Sequence, residues 1–200
     1  MIVNILIIFL GVLWFFFNYW RRLKDDYISS QIFASGIYII GFTLLFYFTV
    51  KKYLPAYWYW GGFGGFILGV IVSSKRIRLR YFETFESAIV SVLPFLAAIY
   101  LMDTVKNSSL FSLGGFIITF GFLLIYRILN DRYKNIGWYK SGRIGFAGLT
   151  TLGIYFIFRG IVALVFPFML SFSGNYETIL SGVVSFFLFL MVFNLSKKIV

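Results

Sequence analysis

The chain of 200 residues contains neither histidine nor cysteine. That removes the commonest neutral-pH acid/base and the commonest metal ligand. It also removes any disulfide, thiolate nucleophile or cysteine-based metal site. Chemistry here must use Tyr, Asp, Glu, Arg or Lys. One grouping is Tyr155 with Arg159, four residues apart and so on one face of a helix. Arg159 lies well inside the apolar stretch Gly145–Phe166. An arginine at membrane depth is costly and by default marks a function. Its planar fork matches a phosphate or a carboxylate. No acidic residue is close to it in sequence, and Asp131 and Glu177 read as loop charges. A lipid phosphate, with Tyr155 as a second donor, is therefore the expected partner; the alternative is that Arg159 snorkels or binds carbonyls at a helix break. Arg159→Leu would then leave the fold intact. The other grouping is Glu83 with Glu86, three apart. Paired carboxylates can do acid/base chemistry. At a helix start beside a basic loop they also favour the helix N-terminus. There is no P-loop, dinucleotide fingerprint or metal-ligand spacing, so no cofactor and no metal are expected.

The elements that must position these residues are apolar segments at roughly 2–20, 31–50, 58–73, 84–102, 110–126, 144–168 and 179–195. Most approach the ~20 residues a helix needs to cross a bilayer core. Of the 18 Lys and Arg, 14 fall in alternate gaps between them. Arg21, Arg22 and Lys24 fill the first gap, and Lys75, Arg76, Arg78 and Arg80 the third. Arg127, Arg132, Lys134, Lys140 and Arg143 fill the fifth, and Lys197 and Lys198 close the chain. The remaining gaps hold only Lys51, Lys52 and Lys106. Cytoplasmic loops attract Lys and Arg. The reading is an all-α polytopic membrane protein, residues 1–200 forming a single domain of about seven spans, N-terminus outside and C-terminus cytoplasmic. The first segment lacks a basic n-region and is followed by Arg21-Arg22, which reads as a retained span. With 60% hydrophobic residues there is little room for a soluble domain. The net charge of +11 sits at helix ends, where it suits anionic headgroups rather than nucleic acid.

Span three is short and rich in glycine. Gly61, Gly65 and Gly69 recur every four residues and share one helix face. Small residues at that spacing let a neighbouring backbone approach closely. They also suit close approach to a lipid or peptide ligand. Pro94, mid-way in span four, is expected to kink it. Tyr53, Tyr57, Trp58, Tyr59 and Trp60 crowd one end of span three, as in an interfacial aromatic belt.

The order of motifs resembles the bacterial prolipoprotein diacylglyceryl transferases along most of the chain. Those proteins also have seven spans with the N-terminus outside. Their third span opens with His-Gly-Gly and ends in an Arg-rich loop; Trp60-Gly61-Gly62-Phe63-Gly64-Gly65 and Ser74-Lys75-Arg76-Ile77-Arg78-Leu79-Arg80 are similar. Leu93-Pro94-Phe95 resembles the family's Pro-Phe motif. Tyr155-Phe156-Ile157-Phe158-Arg159-Gly160 resembles its Tyr-Gly-x-x-Arg-Phe. Ser141-Gly142 stands near its Pro-Gly pair, and Leu180-Ser181 with Lys197-Lys198 near its last span. Trp60 stands at the family's His. Leu101 stands where the family's central signature has Arg, and Ala163 where it has a Glu after the span-six Arg. The resemblance implies a bacterial plasma-membrane protein that binds phosphatidylglycerol or another anionic lipid. It also implies a lipoprotein signal peptide as partner, whose cysteine would receive diacylglycerol. The lipid-binding residues it implies are Arg159, Tyr155, Gly61, Gly62 and Trp60. Two other readings stay open. One is a transferase that uses Tyr100, Asp103 or Tyr155 in place of the missing groups. The other is a small transporter or structural membrane subunit without lipid chemistry; the lack of a clear inverted repeat weakens the transporter.

Overall fold

The computed structural model describes residues 2–132 and 145–197. Lys134, Lys140, Ser141, Gly142, Arg143 and Lys198 lie outside the described residues. Among the described residues the protein is all-helical. The long helices are α1 (Ile2–Leu23), α2 (Ser29–Tyr53), α3 (Trp58–Ile77), α4 (Tyr81–Asn107), α5 (Leu110–Arg132), α6 (Phe146–Val165) and α7 (Glu177–Lys197). Each expected apolar segment corresponds to one of them. Among the described residues five helices are long and apolar enough to cross a membrane: α2, α4, α5, α6 and α7 extended back to Gly174. They suggest a multi-pass membrane protein. Large apolar side chains stay exposed on the outer faces, such as Leu45, Phe48, Ile117, Leu124, Ile161 and Phe186. Contiguous apolar surface of that extent fits contact with lipid tails rather than water.

Short connections join α1 to α2, α2 to α3, α3 to α4 and α4 to α5. Arg78 takes the left-handed conformation (φ 61°), and this lets the Leu79 N–H reach back to the Ser74 carbonyl and end α3. Arg80, extended, then starts α4. Gly145 (φ 85°) opens α6, where a side chain would be strained, and its N–H donates to Glu86 Oε2 at 2.8 Å. The helix ends sort the basic residues: Arg21, Arg22, Lys24, Lys75, Arg76, Arg78, Arg80, Arg127, Arg132 and Lys197 lie at one end of the bundle. Lys51, Lys52 and Lys106 lie at the other.

α2 and α3 form the tightest pair. A Cβ on Gly61 would sit 2.5 Å from Val50 Cβ, and one on Gly69 would sit 2.7 Å from Ile39 Cα. One on Gly65 would meet the Phe42 carbonyl oxygen. The small-residue face is therefore a helix-packing seam. Gly62 is not part of it, since its nearest neighbour would be Tyr47 at 3.9 Å. α4 and α6 are the most enclosed helices, burying Ala88, Leu93, Leu149 and Phe156 among others. α4 runs from Tyr81 to Asn107 as one helix through Pro94. The proline does remove the N–H that the Val90 carbonyl would otherwise receive.

Candidate functional site

Polar side chains collect at both ends of the bundle. At the end away from the basic loops, α6 carries Tyr155 and Arg159 inward. The start of α3 brings Tyr59 and Trp60, and the α6–α7 connection brings Ser171, Phe172 and Ser173. The first residue of α7 is Glu177. Arg159 is 2% exposed and Glu177 0%. Arg159 Nε donates to Glu177 Oε1, forming a buried ion pair. Four further donors complete the carboxylate: Ser181 Oγ at 2.9 Å, Trp60 Nε1 at 2.9 Å, and the Ser173 N–H and hydroxyl, each at 3.0 Å. The guanidinium also donates to Ser171 Oγ at 2.8 Å, to the Ser171 carbonyl, and to Tyr155 Oη at 3.4 Å. The rings of Tyr59 and Phe172 lie against it, 3.7 and 4.6 Å from its carbon to their centres. Such contacts add a favourable cation–π component. Tyr100 Oη shares a hydrogen bond with Ser171 Oγ.

This arrangement corrects the expectation for Arg159. Its charge is met by Glu177 on α7, 18 residues on, which is an interior residue and not a loop charge. Trp60, at the position of the family's His, spends its N–H on the same carboxylate and stacks on Phe156 with ring centres 5.7 Å apart. The cavity beside the pair, next to Tyr100, Thr119 and Tyr155, is about 30 Å³. That is room for about one water, not for a headgroup. Asp103 lies apart from the pair, accepting from Ser112 Oγ and Asn107 Nδ2. Of the expected lipid-binding set, Arg159, Tyr155 and Trp60 come together and are satisfied by protein. Gly61 packs on α2, and Gly62 stands off it.

At the basic end a much larger space opens. α1 and α5 both pack on α4 and are joined across it by Arg22, which donates to Asn130 at 3.2 Å and lies 5.3 Å over the Tyr126 ring. Between them is a cleft of about 670 Å³ with α4 as its floor. Clefts of ~300–1,000 Å³ commonly hold small-molecule ligands. Its lining is layered along the helices. The rim has Arg21, Asp25, Asp26, Arg127 and Asp131; below it are Arg22, Glu83 and Glu86; deeper are Ser87, then Val90, Pro94, Leu123 and Trp14. Arg22 pairs with Glu86 at 3.0 Å, and Arg80 pairs with Glu83 at 2.9 Å. Tyr27 Oη also donates to Glu83, at 2.6 Å. Burial first, and the bond to Glu83 second, raise the Tyr27 hydroxyl above its ordinary value, so it stays a donor at neutral pH. Ser87 as a residue is 2% exposed and lines the cleft, and its hydroxyl makes no hydrogen bond among the described residues. Arg21, Arg127, Asp25 and Asp26 make no side-chain ion pair among the described residues.

Sequence reasoning singled out Glu83 and Glu86 and missed the cleft around them. Five of the chain's seven carboxylates line it. All five sit in the same alternate gaps, or at the span ends beside them, that hold the basic residues. Comparison with known proteins finds no matching family model, curated protein or solved structure.

Proposed function

We propose that this is a seven-span membrane protein, N-terminus outside and C-terminus cytoplasmic, that binds a membrane phospholipid in the α1/α4/α5 cleft. The observation that supports it is the layering of that cleft. Arginines without an ion pair among the described residues lie at the rim, the Ser87 hydroxyl lies below them, and an apolar wall lies deepest. A phospholipid has the same order: phosphate, ester carbonyl, acyl chain. Arg21 and Arg127 would take the phosphate, since Arg matches its geometry. The Ser87 hydroxyl would donate to an ester carbonyl, and Trp14, Val90, Pro94 and Leu123 would flank the chain.

The binding half of the resemblance to the diacylglyceryl transferases is retained in this reading, moved from Arg159 to the opposite end of the bundle. On the same resemblance we place the protein in a bacterial plasma membrane. Transfer to a signal-peptide cysteine is the weaker half. Tyr155 and Arg159 favour it, held together as they are on α6. Yet Arg159 and Glu177 are engaged with each other and with serines, leaving neither of the two free to act as an oxyanion donor or a base. A lipid-modified peptide formed in vitro from phosphatidylglycerol and a signal peptide would restore the transferase.

Native mass spectrometry in detergent tests the binding. Arg21→Gln with Arg127→Gln should lower phospholipid retention about tenfold, as expected for losing charge-assisted hydrogen bonds to phosphate. Lys75→Gln, an exposed basic residue outside the cleft, should not. Equal loss in both would mean that only general charge matters. Orientation is tested separately, and the chain has no native cysteine to interfere. Arg78→Cys should resist an impermeant thiol reagent in intact cells, and Ala56→Cys should label. The reverse pattern would invert the topology.

A further inference from the structure

We infer that the cleft selects a phospholipid whose headgroup carries a primary amine beside its phosphate. This rests on the phospholipid reading above and adds the headgroup class. A headgroup that bears only phosphate and hydroxyls calls for a net positive pocket. Among the described residues this pocket is not one. Once Arg22 and Glu86 neutralise each other and Glu83 is matched by Arg80, the described lining keeps Arg21 and Arg127 as cations against Asp25, Asp26 and Asp131 as carboxylates. The chain as a whole is +11, so gathering these carboxylates at its most basic end runs against its bulk charge. Two arginines and three carboxylates around one opening complement an ammonium and a phosphate held together.

Ser87 gives an independent reason to place a ligand there. It is 2% exposed, faces the cleft and has no hydrogen-bond partner among the described residues. It lines the cleft, so a partner for its hydroxyl would come from what the cleft holds. A lipid ester carbonyl in the cleft would accept from it while the headgroup sits at the charged rim above. A free polyamine or metal cation would use the carboxylates but neither Ser87 nor the apolar floor. The amine would donate to Asp25, Asp26 or Asp131, and the phosphate would accept from Arg21 and Arg127, so both charges of the headgroup are met. Phosphatidylethanolamine satisfies this pattern. Phosphatidylglycerol leaves the carboxylates facing hydroxyls, and phosphatidylcholine has the charge but no N–H to donate.

The purified full chain would be equilibrated with equal amounts of phosphatidylethanolamine, phosphatidylcholine and phosphatidylglycerol of one acyl composition, and bound lipid read by native mass spectrometry. Phosphatidylethanolamine should be retained over the other two by roughly fivefold, the scale of one matched ionic hydrogen bond at a partly exposed site. The variant Asp25→Asn, Asp26→Asn, Asp131→Asn should erase that preference while still retaining phospholipid. Its side chains are exposed, so the fold should hold, which thermal unfolding would check. Ser87→Ala should weaken all three lipids alike. Equal or greater retention of phosphatidylglycerol, still dependent on Arg21 and Arg127, would overturn the amine while leaving the phospholipid reading in place. Retention unaffected by Arg21→Gln, Arg127→Gln and Ser87→Ala together would overturn both.

Discussion

Glu177→Gln should destabilise the protein by roughly 3–5 kcal/mol, the usual cost of removing one partner from a buried ion pair. The amide keeps the shape of the side chain, so packing is not the cause. What it loses is the charge opposite Arg159, whose guanidinium is 2% exposed and so cut off from bulk solvent. Arg159→Met should cost about as much for the complementary reason, since a carboxylate with 0% exposure would remain. Removing both charges, Arg159→Met with Glu177→Leu, should recover part of the loss, because neither ion is left uncompensated. Recovery should be incomplete. Ser171, Ser173 and Trp60 would each lose a partner, and orphaned buried donors cost ~1–3 kcal/mol each. Thermal unfolding in detergent, followed by tryptophan fluorescence and with Glu177→Leu alone as the remaining corner, gives the double-mutant cycle. A coupling of more than about 1 kcal/mol is expected for groups in contact. Additive losses would mean that the two side chains do not meet. The same cycle replaces the expectation that Arg159→Leu is tolerated, which assumed a lipid counter-charge.

Why that pair escaped the sequence is a matter of topology. Hydropathy locates the helices well, because lipid or core contact must be apolar along the whole of each segment. The helix ends fall within a few residues of the expected ones, as for 58–73 against Trp58–Ile77 and 179–195 against Glu177–Lys197. Glycine spacing likewise identifies the α2–α3 seam, since period four is a local property of one helix. Contacts across a hairpin are not local. Arg159 lies six residues before the end of α6, and Glu177 opens α7 after a turn that folds back on it. Eighteen residues of sequence separation thus become one hydrogen bond. A signal was present: an acidic residue at the very start of an apolar span, preceded by Ser171 and Ser173 and followed by Ser181. The cleft was hidden for a similar reason. Asp25 and Asp26, Glu83 and Glu86, and Asp131 belong to three separate gaps. Only the antiparallel arrangement brings those gaps to one end, and only α4 lying between α1 and α5 makes a single space of them.

The glycine seam makes the second large prediction, and it is a pattern across positions. At Gly65 and Gly69 the neighbour is α2 backbone: the Phe42 carbonyl oxygen in one case, Ile39 Cα in the other. Backbone atoms cannot rotate aside as a side-chain tip can. Even alanine must therefore push α2 and α3 apart, and Gly65→Ala and Gly69→Ala should each cost about 1–3 kcal/mol, the range for overpacked cores. Gly65→Leu should exceed either. Gly64 is on the same helix, and a methyl group added there would have nothing within 4 Å, so Gly64→Ala meets open space. There the helix gains the propensity advantage of alanine over glycine, and stability should hold or rise by up to ~1 kcal/mol. Gly62→Ala, with Tyr47 at 3.9 Å as its nearest neighbour, should behave like Gly64→Ala. Composition is nearly the same in all four alanine variants, so lipid solvation cannot produce the contrast. Melting temperatures in one detergent would read it directly. Losses at positions 65 and 69 with none at 62 and 64 establish the α2–α3 contact as the reason for the four-residue spacing. Uniform effects at all four would show that this face of α3 does not pack on α2.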